Sequence, residues 1–128
     1  MILLLDTSTP QCHLSMIEGE WRYDTNWEAG RGLSKGLLQF IEKELEFQEK
    51  SWKDIAGLAV FKGPGSFTGL RIGITVFNTL SYANDWPIVG VSGEEWRKSG
   101  VDRLTAGEND TVVLPDYGAE ANITQPRK

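Results

Sequence analysis

The residues best suited to chemistry by type and spacing are Gly63, Pro64, Gly65, Ser66, Phe67 and Thr68, followed by Gly69 and Gly73 four apart. They join an apolar run, Ile55 to Phe61, to a long helical pattern reaching about Asn84. Gly63 and Gly65 admit backbone angles that other residues resist, and Pro64 fixes its own. Ser66 or Thr68 can cap the helix by accepting a bond from an unpaired N–H. Free N–H groups at such a turn can cradle a phosphate, so nucleotide binding is the first chemistry to weigh. The spacing argues against it. A phosphate loop needs Gly, four residues and then Gly-Lys-Ser/Thr, and no lysine stands there. The dinucleotide fingerprint fails too, because Thr68 takes the place of its third glycine.

The remaining inventory is thin. Asp6, Thr7, Ser8 and Thr9 follow the first apolar run, where an acidic residue in phosphoryl-transfer folds can hold a metal–nucleotide complex. A turn or capping aspartate is the plainer reading. One histidine, His13, and one cysteine, Cys12, cannot supply the three or four ligands of a zinc site, so no metal is expected. As strand neighbours they face opposite sides, which also argues against a catalytic pair. Glu42, Glu44, Glu46 and Glu49, interleaved with Lys43 and Lys50, read as a solvated helix face. Asn122-Ile123-Thr124 matches a glycosylation sequon, but nothing in the sequence directs the chain to the secretory pathway.

These groups need a scaffold, and 128 residues with 40% apolar content suffice for one domain. A net charge of −5 argues against unaided nucleic-acid binding. The single cysteine fits a reducing compartment, and Ile2 to Leu5 is too short for a leader or a membrane span, so a cytoplasmic protein without membrane attachment is expected. Met1 to Leu5, Cys12 to Ile17 and Trp21 to Trp27 read as an antiparallel meander. Leu33, Leu37, Ile41 and Leu45 recur at i+4 in a helix over Leu33–Glu49, with Phe40 and Phe47 on one flank and Leu38 on the other. Ile55 to Phe61 has the continuous apolar character of a strand covered on both faces.

In the helix after the glycine turn, Arg71, Thr75, Asn78 and Tyr82 form one narrow polar stripe. Leu70, Ile72, Ile74, Val76, Phe77 and Leu80, with Gly69 and Gly73, fill most of the rest. Such a helix is apolar over too wide an arc to pack on one sheet alone. It needs a second partner, the other helix or another chain, and Gly69 with Gly73 offers a flat patch for a close neighbour. Trp86-Pro87 ends it. Pro87 to Val91 reads as a strand, Ser92 with Glu95 as a capping box for a short helix Gly93–Lys98, Gly100 to Asp110 as a polar loop, and Thr111 to Leu114 as one last strand.

Leu4-Leu5-Asp6-Thr7-Ser8-Thr9, followed at this distance by Gly63-Pro64-Gly65-Ser66-Phe67-Thr68-Gly69-Leu70-Arg71-Ile72-Gly73, resembles the TsaB (YeaZ) family over about residues 1 to 96. The resemblance implies an α/β, actin/sugar-kinase-like (ribonuclease H-like) lobe: a five-stranded mixed sheet, meander plus parallel strands, with packed helices. It also implies a non-catalytic subunit, without cofactor, in forming N6-threonylcarbamoyladenosine at position 37 of tRNA. The implied partners are a TsaD-type catalytic subunit, a TsaE-type ATPase in the larger complex, and a second copy when alone, with tRNA met only indirectly. The family's contact surface is its two long helices, which places Leu37, Leu38, Ile41, Leu45, Gly69, Leu70, Arg71, Gly73, Ile74, Phe77 and Asn78 at the interface. Asp6, Thr7 and Ser8 would then be a vestigial phosphate loop. The TsaD-type subunit carries a metal-binding histidine pair, and this chain has one histidine. Members commonly continue into a second lobe. Residues 1–114 are therefore expected to be the first lobe and 115–128 a remnant of the second, with Asp116 to Ile123 resembling its opening. The rival expectation is a small ATP-binding phosphotransfer enzyme using Asp6 and the Gly63–Gly73 turn.

Overall fold

The computed structural model describes residues 1–117. Strand β1 (Ile2–Asp6) pairs antiparallel with β2 (Gln11–Glu18), and β2 with β3 (Trp21–Glu28). Gly19, at φ +62°, makes the tight β2–β3 reversal that a side chain would strain. Helix α1 (Leu33–Phe47) carries the chain across to β4 (Gly57–Phe61), parallel to β1. Helix α2 (Phe67–Asn84) then crosses to β5 (Ile88–Val91), parallel to β4. The sheet order is β3-β2-β1-β4-β5. Helices α1 and α2 cover one face through Leu3, Leu5, Leu14, Met16, Leu58 and Val60. Helix α3 (Trp96–Thr105) covers Leu4, Ala59, Val89 and Val91 on the other. Two-sided cover explains why β1 and β4 are apolar almost without interruption.

The buried stripe of α1 is Leu33, Leu37, Ile41 and Leu45, as its i+4 spacing dictates. The helix stops at Phe47, two residues before the expected end, and Glu49 adopts φ +59° in the turn that follows. Helix α2 buries Leu70, Gly73, Ile74, Phe77 and Ser81 against the sheet. Ser66 caps it, accepting from the Gly69 N–H at 3.3 Å. One flank of α2 meets α1. The other meets the irregular strap 109–117, where a strand over Thr111–Leu114 was expected. There the Asn78 side chain donates to the Val113 carbonyl and accepts from the Val113 N–H, both at 2.9 Å.

Three expectations after β5 are corrected. The capping box does not form, because the Ser92 hydroxyl donates to the Gly63 carbonyl at 2.6 Å, and the helix starts later, at Trp96. Gly100 to Thr105 is helical. A Cβ at Gly100 would lie 2.8 Å from Ala59 Cβ, so this glycine marks close packing of α3 on the sheet and not a loop. Thr111 to Leu114 is no strand: Thr111 turns at φ +69°, and Val113 spends its backbone bonds on Asn78. At the chain's described end, the Asp116 N–H donates to the Lys62 carbonyl at 2.7 Å and Tyr117 packs on Phe67, ring centres 4.5 Å apart. The sequon and most of the expected second-lobe remnant lie outside the described residues. No helix among them is long and apolar enough to cross a membrane.

Candidate interaction face and the glycine turn

The Asp6–Ser8 turn and the Gly63–Gly73 motif close on each other. Asp6 Oδ1 accepts from the Ser8 N–H at 2.8 Å, a local turn of the kind aspartate favours. The Ser8 carbonyl accepts from the Ser66 N–H at 2.8 Å. The Thr7 hydroxyl, buried at 1% exposure, donates to the Gly69 carbonyl at 2.7 Å. A Cβ at Gly65 would strike Ser8, at Gly69 the Thr7 carbonyl, and at Gly73 the Thr7 hydroxyl. Gly63, at φ +123°, has no room for a side chain beside the Asp116 carbonyl. The motif is a seam between the end of β1 and the first turns of α2.

This corrects the assignment of Gly69 and Gly73 to a partner surface. They do admit a backbone at close range, but it is the chain's own Thr7. Leu37, Ile41, Leu45, Leu70, Ile74 and Phe77 are corrected for a related reason: each is at most 2% exposed and belongs to the core between helices and sheet. Asn78 is committed to Val113. Of the expected interface, Leu38 at 50% exposure and the exposed Arg71 remain on the surface.

The face that α1 and α2 do present is offset by about one residue from the buried stripe. A cleft of about 310 Å³ opens between the helices beside Ser34, Arg71, Ile72 and Thr75. It continues past Val76 to a hollow of about 130 Å³ beside Leu38, Thr79 and Leu80. At its other end it meets a third cleft, about 320 Å³, by Thr9, Arg31 and Thr68. Ile72, Val76 and Leu80, at i, i+4 and i+8, are half-buried along this groove; the sequence placed them in the wide apolar arc of α2 but not at the interface. Their regular spacing was the available signal, hidden because both flanks of α2 are apolar. Arg71 is the one charged residue within α2, and its guanidinium lies over the Phe67 ring at 5.3 Å.

The candidate chemical groups are dispersed. Cys12 lies in the core, and burial, reinforced by the Asp6 charge, pushes its thiol up to about 12. His13 sits on the opposite face of β2, half-buried, as strand alternation requires. Among the described residues no group of three His, Cys, Asp or Glu is placed to hold a metal ion. Asp6 is turned onto its own Ser8 amide, so the phosphotransfer alternative gains no support here.

Residues 27–97 match the family model described as TsaD: tRNA N6-adenosine threonylcarbamoyltransferase. The chain is 33% identical over 112 residues to the tRNA threonylcarbamoyladenosine biosynthesis protein TsaB of Escherichia coli K12, covering 82% of this chain and 48% of that one. It is 32% identical over 124 residues to the protein of the same name from Haemophilus influenzae, covering 97% and 52%. Among solved structures, YeaZ from Pseudomonas aeruginosa superposes with a TM-score of 0.67 at 28% identity, covering 77% of this chain and 49% of that one. The chain thus spans about half the length of the curated relatives it matches.

Proposed function

Because the chain belongs to the TsaB (YeaZ) family, with that family's actin-like, ribonuclease H-like sheet, we propose that it serves as a non-catalytic partner subunit in forming N6-threonylcarbamoyladenosine at position 37 of tRNA. It binds a TsaD-type catalytic subunit through the groove between α1 and α2, and a TsaE-type ATPase joins the larger assembly. The observation that carries this reading is the groove itself. Leu38, Ile72, Val76 and Leu80 line a surface on which α2 supplies a single charge, Arg71. An interface core depleted of charge is what a partner helix requires. Two helices of this length can supply the ~800 Å² per partner of a standard interface. The non-catalytic assignment is supported by the use of Asp6, Thr7 and Ser8 as structural partners of the glycine seam.

Val76→Glu tests the proposal, since Val76 is half-buried in the groove and outside the core stripe. Titration calorimetry with a TsaD-type protein is expected to show binding by the parent chain and at least a hundredfold loss in the variant, roughly 2.7 kcal/mol. Circular dichroism is expected to show the fold intact. No binding by the parent, or full binding by the variant, rejects the groove. Ile74→Glu is unsuitable, because Ile74 is 2% exposed and a charge there tests stability.

A further inference from the structure

The two edges of the sheet are treated differently. On β5 every outward group at Ile88 and Gly90 is satisfied. The Asp110 N–H donates to the Ile88 carbonyl at 2.7 Å, and Asn109 Oδ1 accepts from the Ile88 N–H at 3.1 Å. Asp110 Oδ2 accepts from the Gly90 N–H at 2.9 Å, and Arg103 donates to the Gly90 carbonyl at 3.0 Å. The strap, together with Arg103 of α3, therefore acts as a false strand that seals this edge. The opposite edge, β3, is eight residues long and has no proline. Its parity is fixed by the Ala29 N–H, which donates to the Pro10 carbonyl at 3.1 Å in the β2–β3 register. Odd-numbered residues thus bond inward to β2. The N–H and C=O groups of Arg22, Asp24, Asn26 and Glu28 point outward, with no backbone partner among the described residues. An unsealed edge of this length is a template for another strand.

The side chains specify which strand. The even residues lie on the α3 side of the sheet, where Asp24 bonds Ser15 and Ser15 accepts from Arg97 of α3. The odd residues lie under α1, where Trp27 packs on Phe40, ring centres 5.1 Å apart, and Tyr23 donates to Glu44 at 2.8 Å. An antiparallel copy of β3 related by a two-fold at Thr25 sets Arg22 against Glu28 of the second copy, Asp24 against Asn26, and Tyr23 against Trp27. Even residues meet even, so each such pair can exchange both backbone bonds. Shifting the two-fold to Asp24 opposes that carboxylate to itself, and shifting it to Asn26 opposes Asp24 to Glu28. Like charges directly opposite destabilise a ladder. A two-fold at Tyr23 pairs Arg22 with Asp24 but leaves the Asn26–Glu28 end unpaired. One long register is charge-complementary. Along the same flank of α1, Gly36, Phe40, Lys43 and Phe47 recur at i, i+4, i+7 and i+11, and Phe47 is 74% exposed.

We infer that β3 is a second interface, on which another copy of this chain adds antiparallel about a two-fold at Thr25 to form one continuous ten-stranded sheet. This surface is separate from the α1–α2 groove, so both can be engaged together.

Thr25→Cys tests the register directly. On the two-fold, the two Thr25 positions form a non-hydrogen-bonded pair with Cα atoms ~4.5 Å apart, within disulfide reach. The native Cys12 is 1% exposed and does not compete. Mild oxidation is expected to convert Thr25→Cys to a disulfide-linked dimer, while Asn26→Cys, whose opposite position is Asp24, stays unlinked. Independently, light scattering should show a dimer of the parent chain weakened about tenfold by Arg22→Glu, or ~1.4 kcal/mol. Arg22→Glu with Glu28→Arg should restore it, which a local disturbance of the intrachain Arg22–Asp24 pair would not do. Three results would each overturn the inference: a monomeric parent, a dimer in which Thr25→Cys links no faster than Asn26→Cys, or a β3 edge that takes only a strand from another protein. Val76→Glu should leave the crosslink unchanged, so failure at the groove and failure at β3 read out separately.

Discussion

Replacing Gly73 with alanine distinguishes a glycine kept for the fold from one kept for a partner. In an open helix the substitution stabilises by ~1 kcal/mol, because alanine loses less backbone freedom. Here the new Cβ would land on the Thr7 hydroxyl, with Thr7 Cγ2 at 3.0 Å and Thr7 Cβ at 3.2 Å. Thr7 has little room to retreat: it is 1% exposed, and its carbonyl already lies against Gly69. Overpacking of this kind costs ~1–3 kcal/mol. Displacing the Thr7 hydroxyl also weakens its bond to the Gly69 carbonyl, worth ~1 kcal/mol. The balance is a net destabilisation of ~1–3 kcal/mol, or roughly 4–12 °C in Tm for a domain of this size. Urea unfolding with an unchanged m-value measures it. Thr7→Ala in the same chain removes the hydroxyl and methyl, so the double-mutant cycle should show a favourable coupling of ~1–2 kcal/mol. A Gly73→Ala protein as stable as the parent, or stability changes that simply add, would refute the seam. Intact stability with lost partner binding would return Gly73 to the interface.

Two further outcomes follow from the strap. Asn78→Ala removes both bonds to Val113 and should cost ~1–3 kcal/mol in urea unfolding, with hydrogen exchange of the Val113 amide rising while β1 amides stay protected. At Asp110, burial works against ionisation, but the Gly90 N–H and then the Arg103 guanidinium outweigh it, holding the carboxyl below its ordinary value of 3.8. A depressed folded-state value means stability that is fully present above the unfolded value and lost as pH falls through the folded one. Urea midpoints of the parent should therefore drop below about pH 4 more steeply than those of Asp110→Asn, and parallel pH profiles would count against the sealed edge.

Helical periodicity and strand-length apolar runs made α1, α2 and all five strands legible, whereas α3 was expected too early and too short. Periodicity could not divide the apolar surface of α2 among its neighbours. Three surroundings compete for that helix, namely the sheet, α1 and a strap that arrives some thirty residues later, and a helical wheel records only that all of them are apolar. The buried stripe Leu70–Ile74–Phe77 and the groove stripe Ile72–Val76–Leu80 differ by a rotation that spacing alone cannot orient. The strap itself was illegible for a physical reason. Its bonds run between a side-chain amide and a backbone, Asn78 to Val113, or between a carboxylate and a strand edge, Asp110 to Gly90, and such pairings have no period. Gly100 failed in the same way as Gly69 and Gly73. A glycine announces that something comes close, and only the three-dimensional neighbour says whether that is a turn, a sheet or another chain. For α3 it was Ala59 and for the motif it was Thr7, both within the chain. The two surfaces proposed above for partners, the threonine-rich groove of α2 and the outer edge of β3, are accordingly ones where glycine is not required.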